Sequence, residues 1–533
     1  MSAPPVAERS HSERAPSARD QVGGPYAWYV LAVLVAVYVF NFVDRQILSI
    51  LAERIKADLG LSDAQIGFLY GTAFAVFYAI FGIPLGRLAD VWDRRRLIAL
   101  GLGFWSLMTA LSGLARTFLQ LGAARIGVGV GEASMSPAAF SMLSDYFPAR
   151  RRATVLAIHQ SAIFIGSGLG LGIGGLIVQR WDAAWAGGTA PFGLRGWQVA
   201  FFVAGAPGLL LALWARTLRE PRRGQADGIF SPPEPHPFHQ FGRELRAVCP
   251  PFTLLHLWLV RAGGRAIAMN LLAAAGLAAF AAGLTYGLGN PVQWIALGIG
   301  VYAAVSWRQA LQRRDRVCFE LMFHTPSLRY AALCFGFLAA AGYGINFWTA
   351  PFFIRVHGMA EVQAGLVLGA THAAAGWIGV TGGGLVADGW RRRTPNGRLY
   401  VALLTTILPV PFALITLTTS NLTLACITYF PQSLCGALWS GAAVSTIQEL
   451  VLPRMRALAS AAYLLMVTFV GLALGPYAIG RLSGAVGSLR AAMLIGLSAN
   501  AVALLFGLLA ARHLPQDEAT TLARARAAGE PGL

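Results

Sequence analysis

The feature that most constrains this chain is a series of apolar runs, each about 20 residues long, separated by short polar loops. They fall near residues 27–51, 65–86, 97–115, 118–143, 153–178, 197–216, 266–286, 290–307, 328–350, 362–387, 399–418, 422–447, 457–480 and 489–511. A helix of that length crosses the hydrocarbon core of a bilayer, and in hydrocarbon only helices and closed barrels satisfy their own backbone. The expected fold is an all-α membrane protein of about fourteen helices. Composition agrees, because the chain is 56% hydrophobic and only 12% charged, against about 25% charged residues in soluble domains. So few charges cannot coat several soluble domains.

A net charge of +18 would by itself suggest nucleic-acid binding, so its placement decides the matter. With the N-terminus in the cytoplasm, about 30 of the basic residues fall on the inner side, about 8 on the outer side and about 4 within the runs. The inner set includes Arg94, Arg95, Arg96, Arg150, Arg151, Arg152, Arg391, Arg392 and Arg393. The outer loop after the first run mixes Arg54 and Lys56, the sole lysine, with Glu53, Asp58 and Asp63. The basic excess therefore reads as topology, and no nucleic-acid partner is expected. The protein is expected in the inner (cytoplasmic) membrane, with both termini cytoplasmic. Residues 1–25 lack the signature of a secretory signal and read as a disordered tail. The five cysteines form no C-x-x-C pair or Cys/His cluster, so neither a metal site nor a cofactor is expected.

Residues 218–265 break the rhythm, with the proline-rich linker Ser231–Pro237 unable to continue a helix. The pair 266–286 and 290–307, joined by a tight Gly287–Pro291 turn, reads as an inserted transmembrane hairpin. An even number of added spans preserves topology on both sides. The expected organisation is a tail at 1–25, a six-helix bundle at 26–217, a linker with the hairpin at 218–327, a second six-helix bundle at 328–512 and a tail at 513–533.

An internal repeat supports the two bundles. Gly86-Arg-Leu-Ala-Asp90-Val-Trp-Asp-Arg94-Arg95-Arg96 is matched by Gly384-Leu-Val-Ala-Asp388-Gly-Trp-Arg391-Arg392-Arg393. Asp145 with Arg150 and Arg152 is matched by Glu449 with Arg454 and Arg456. Parallel repeats of this kind build transporters.

Gly86-x-Leu88-Ala89-Asp90-x-x-x-Arg94-Arg95 resembles the signature loop of the major facilitator superfamily, with Val91 and Asp93 where the family usually has arginine and glycine. Asn41-Phe-Val-Asp44-Arg45, Arg125-Ile-Gly-Val-Gly-Val-Gly-Glu132 and Ser144-Asp-Tyr-Phe-Pro resemble its spinster branch. The resemblance implies two six-helix bundles and a secondary transporter working by alternating access. It also implies lysolipid-like cargo and proton coupling.

Ionisable groups inside a bilayer are costly and mark pathways. Asp44 and Arg125 lie at equal depth, each about 10 Å from the outer end of its helix, so an ion pair between them is expected. Asn41 sits one turn from Asp44 on the same face. Glu132 lies two turns beyond Arg125 on one helix face. Asp44 and Glu132 are expected to exchange protons while Arg125 alternates between them and an anionic group on the substrate. Asn41, Tyr70, Tyr78, Asn346 and Trp348 are expected to line the substrate path. Tyr70, Phe74 and Tyr78 form an aromatic stripe on the second helix, which packing alone also explains. At the inner side, Gly86, Asp90, Arg94, Arg95, Asp145, Arg152, Asp388, Arg392, Glu449 and Arg456 are expected to form gate ion pairs. Glycines 166, 170 and 174 read as a packing stripe. His159 and His372 read as packing residues.

The expected function is a proton-coupled transporter of an amphiphilic or organic anionic solute, working as a monomer in the bilayer. A small-carboxylate anion:cation symporter is the alternative within the superfamily. A membrane-embedded lipid enzyme is supported by no intramembrane Ser/His/Asp set, His-Glu-x-x-His run or paired metal-ligand motif, and a receptor on the same scaffold would call for longer tails.

Overall fold

In the computed structural model, residues 22–186, 188–227 and 235–530 are described. Most of the N-terminal tail and part of the proline-rich linker lie outside them. The described residues form eighteen helices and no strand. The first six long ones are α1 (Pro25–Leu59), α2 (Asp63–Val91), α3 (Arg94–Ser112), α4 (Phe118–Glu132 continued by Met135–Tyr146), α5 (Ala149–Ala184) and α6 (Gly196–Arg216). The linker carries α7 (Pro237–Val248) and α8 (Phe252–Leu259), and the hairpin is α9 (Gly264–Leu288) and α10 (Pro291–Arg314), followed by the short α11 (Arg316–Phe323). The second half comprises α12 (Pro326–His357), α13 (Glu361–Arg391), α14 (Gly397–Thr418), α15 (Leu422–Ala437 continued by Trp439–Glu449), α16 (Leu458–Val486), α17 (Leu489–Ala519) and α18 (Thr521–Ala527).

A helix stands at each of the fourteen expected runs, and ten of them are long and apolar enough to cross a membrane unaided by context. The remaining four, α3, α4, α10 and α15, carry identifiable interruptions. Arginines 94–96 open α3, α4 and α15 each run in two segments, and α10 ends in Arg308, Arg313 and Arg314. Several helices also outrun the hydrocarbon. The 35 residues of α1 reach about 52 Å at 1.5 Å per residue, so Arg54, Lys56 and Asp58 stand on a helix rather than in a loop.

Two segments hold more helix than the sequence pattern marks. Residues 218–265 hold the helices α7 and α8, because proline opens α7 at its first turn, where no amide bond is lost. Residues 513–533 are not a free tail over their described part. There α17 continues to Ala519, Arg524 bonds Thr325, and Arg454 Nε donates to Glu530 at 2.7 Å.

The two halves meet along two seams, α2 against α16 and α5 against α13. At the second, Gly168 and Gly369 cross backbone to backbone. A Cβ on Gly168 would lie 2.5 Å from the Gly369 carbonyl oxygen, and one on Gly369 would sit as close to Gly168, so neither helix tolerates a side chain there. Glycines 166, 170 and 174 occupy the other face of α5, against Val39, Val43 and Ile47 of α1. Thus α5 carries two glycine faces, one for each neighbour.

Polar bridges between the halves gather at the end of the bundle away from the arginine-rich loops. Arg355 of α12 binds Asp63 at 2.7 Å and Glu53 at 2.5 Å, and Arg54 binds Glu361 at 2.8 Å. Ser483 of α16 donates to Asp63 at 2.6 Å, and Ser49 of α1 donates to the Phe347 carbonyl at 2.6 Å. At the arginine-rich end, every ion pair among the described residues stays on one side of the divide. A cavity of about 1130 Å³ lies between the halves, its wall running from Arg45 and Tyr70 down to Thr154 and Asp388 at the arginine-rich end. The molecule is closed at one end and open at the other.

Candidate functional site

Four charged side chains from two helices form a buried cluster beside this cavity. α1 supplies Asp44 and Arg45, and α4 supplies Arg125 and Glu132; Asp44, Arg125 and Glu132 are each no more than 1% exposed. Arg45 Nε donates to Glu132 Oε2 at 2.7 Å. Its guanidinium lies over the rings of Phe74 at 4.4 Å, Phe42 at 4.8 Å and Tyr78 at 5.1 Å, contacts that favour a cation. The stripe on α2 therefore holds a charge as well as packing. Arg125 also sits over Phe74, at 5.7 Å.

The expected ion pair between Asp44 and Arg125 is not formed. The two residues do lie at equal depth, but Arg125 Nη1 donates to the backbone oxygen of Asp44 at 3.4 Å, while the Asp44 carboxylate accepts from Thr109 at 3.1 Å. Successive residues on a helix point about 100° apart, so Arg45, not Asp44, turns to Glu132. Asp44 Oδ1, Glu132 Oε1, Arg125 Nε and Nη2 and both polar atoms of Asn41 are buried without a hydrogen-bond partner. Buried groups in this condition carry a desolvation cost of about 1–3 kcal/mol each, more when charged, so the cluster has spare capacity for a proton or an anion.

Of the four, only Arg45 lines the cavity. Tyr70 lines it too, its hydroxyl 3.4 Å from Gln46 Oε1, and so does Asn346, whose Oδ1 has no partner. Tyr78 touches the site through Arg45. Trp348 does not line the cavity: it is fully buried and donates Nε1–H to the Pro476 carbonyl at 2.8 Å. Two residues on from Asn346, it points about 200° away around the helix. His159 packs as expected, stacked on Tyr38 at 4.5 Å. His372 instead faces the cavity, with Nδ1 3.3 Å from Ser433 Oγ.

The expected gate residues pair within their own sides. Arg94 joins Asp145 at 2.5 Å and Glu220 at 2.6 Å, Arg95 joins Asp93 at 3.1 Å, and Arg152 joins Asp227 at 2.7 Å. Asp388 pairs with Arg398 at 2.8 Å, which also binds Glu449. Asp90 has only a long contact to Arg87 at 3.8 Å, and Gly86 packs on Pro137. Arg392 and Arg456 make none of the ion pairs found among the described residues. The acid-to-arginine registers thus brace each half, since the nearest partner of a loop acid is on its own bundle.

Arg45, Gln46, Tyr343, Gln432 and Asn500 line the cavity but were not expected to. Arg45 was legible, because it follows Asn41 by four residues and shares its face; the carboxamides of the second half carry no such pattern. Among the described residues, no three His, Cys, Asp or Glu side chains group as metal ligands.

The profile of the Major Facilitator Superfamily matches residues 34–476. An MFS-type efflux pump of Mycolicibacterium smegmatis is 28% identical over 465 residues, covering 87% of this chain and 86% of the pump. A probable L-galactonate transporter of Escherichia coli is 33% identical over 175 residues, 33% of this chain and 35% of that protein. The crystal structure of a bacterial homolog of the human lysosomal transporter Spinster, in an inward-facing unoccupied conformation, superposes with a TM-score of 0.70 at 26% identity, covering 92% of this chain and 98% of that one. Fold, half-repeat and profile agree: the chain is a transporter that belongs to the Major Facilitator Superfamily, in its spinster-like branch.

Proposed function

We propose that this transporter moves an anionic amphiphile across the cytoplasmic membrane by alternating access, coupled to protons, with its arginine-rich end inside. The observation that carries the reading is the Arg45–Glu132 bond at the cavity wall. With all four groups charged, two arginines balance two carboxylates. A proton on Glu132 releases Arg45 and leaves one net positive charge in a low-dielectric site. An anionic headgroup reaching Arg45 from the cavity restores neutrality. Proton and anion therefore favour each other's binding, and by linkage the effect is reciprocal. Asp44, held by Thr109, is the second acid of the cluster. Asp90, Asp388 and Glu449 remain the acids through which an inner gate closes when the halves meet at that end.

The apolar cavity wall, which includes Leu338, Ile345, Leu472 and Leu497, supports a cargo with a hydrocarbon part. A second reading, a small hydroxy-acid, is favoured by Asn346, Gln432 and Asn500 on the same wall and by the likeness to a probable L-galactonate transporter. Thermal-shift measurements on the purified protein against lysolipids, sphingoid phosphates and small carboxylates separate them. A lysolipid shift that disappears in Arg45→Ala supports the first reading, and a shift with L-galactonate alone supports the second.

A further inference from the structure

The hairpin α9–α10 lies over the α2/α16 seam and touches both halves. Gly300 of α10 packs where a Cβ would meet Phe469 of α16 at 2.5 Å and Val76 of α2 at 3.2 Å. Near the closed end, the Thr72 hydroxyl of α2 lies 2.7 Å from Gln293 Oε1 of α10 and 2.7 Å from the Ala473 carbonyl of α16, all buried. Asn290 donates to the Tyr477 hydroxyl at 3.2 Å, Trp294 packs edge-on against the same ring, and Arg481 donates to the Leu288 carbonyl at 3.2 Å. Three helices share one junction, with α10 packed against both α2 and α16. The cavity takes no lining residue from the hairpin.

The α5/α13 seam has no such cover. The last side chain filling it is Phe164, against which a Cβ on Gly376 would collide. Past it, Ile158 of α5 and Trp377, Thr381 and Leu385 of α13 are exposed and border the cavity. Trp377 lies fourteen residues before the end of α13, so the opening climbs about 21 Å from the arginine-rich end, into the depth of the hydrocarbon. A single-chain amphiphile placed there has its tail in lipid and its headgroup within the cavity that holds Arg45.

We infer that the inserted hairpin is a fixed lateral cover over the α2/α16 seam, so that a single-chain anionic amphiphile passes between the inner leaflet and the cavity only through the α5/α13 seam. This rests on the amphiphile reading above. An ordinary two-bundle arrangement presents two lateral seams, and the extra pair of helices makes this chain one-sided.

The test uses the full-length protein in nanodiscs and a lysolipid carrying a photoreactive diazirine on its acyl chain, with labelled peptides mapped by mass spectrometry. The expected result is label on Ile158, Trp377 and Leu385, displaced by unlabelled lysolipid, with none on Val76, Phe469 or Gly300. Displaceable label at the hairpin-covered seam overturns the inference while leaving the amphiphile reading standing. Absence of any displaceable label overturns both. In parallel, Leu385→Trp, which fills the space between α5 and α13, should lower lysolipid uptake into proteoliposomes several-fold. Unchanged uptake, with label absent from the α5/α13 seam, likewise sinks the proposal.

Discussion

Arg45 Nε donates to Glu132 Oε2 at 2.7 Å, and this single bond connects the cavity wall to a carboxylate that the cavity does not touch. In Glu132→Gln the side chain stays permanently neutral, as if protonated. Uptake into proteoliposomes is expected to lose most of its dependence on pH, while substrate binding persists. A variant keeping the wild-type pH profile would remove Glu132 from coupling.

Arg45→Lys preserves the charge but loses the planar fork that both bonds Glu132 and lies over Phe74. Substrate affinity measured by calorimetry should weaken about tenfold, or about 1.4 kcal/mol. Arg45→Ala should weaken it further. Equal affinities in all three proteins would place the headgroup elsewhere.

At the closed end, Arg355 gathers Asp63 and Glu53 from the opposite half. Arg355→Ala leaves both carboxylates without that cation and weakens the closed arrangement. Spin labels at Leu59 and His357 should then report a longer, broader distance distribution by double electron–electron resonance. An unchanged distribution would mean that the helix crossings alone hold that end.

The C-terminal segment is anchored by Arg454, which bonds Glu530 and Asp315. Its hydrogen bonds hold the Glu530 carboxyl below the usual carboxylate range; for Asp315, partial burial pushes upward but the bonds from Arg454 outweigh it. Both folded-state values are lowered, so the anchor's contribution is present above the ordinary carboxylate range, about 4, and is lost as pH falls below it. Hydrogen exchange in α18 should therefore accelerate on acidification below about pH 4. In Arg454→Ala it should be fast at every pH.

Gly369→Ala inserts a methyl group against the Gly168 backbone. Overpacking of this kind costs about 1–3 kcal/mol, and a clear drop in melting temperature is expected. The same change at Gly382, where a Cβ meets nothing within 4 Å, should leave the melting temperature nearly unchanged.

Much of this molecule was legible in its sequence. Apolar length marked the helices, and the recurrence of Asp90 and its arginines as Asp388 and its arginines marked the halves. The buried acids and Arg125 were visible because charge inside a bilayer is rare. Partner choice was not visible. Whether Asp44 or Arg45 faces α4 depends on the rotation of α1, and both lie about one turn from Asn41, three and four residues on, so spacing does not choose between them. Gln432 and Asn500 reach the cavity only through the packing of α15 and α17, which no local pattern encodes.

The Gly168–Gly369 crossing also has a mechanical meaning. Gly168 stands nineteen residues from the start of α5 and sixteen from its end, giving arms of about 28 and 24 Å. A scissor rotation of about 10° about that fulcrum moves the two tips by about 5 and 4 Å in opposite senses. Arms of nearly equal length convert any widening at one face into a comparable narrowing at the other. A leak through both faces at once is then opposed by leverage, before any ion pair is counted.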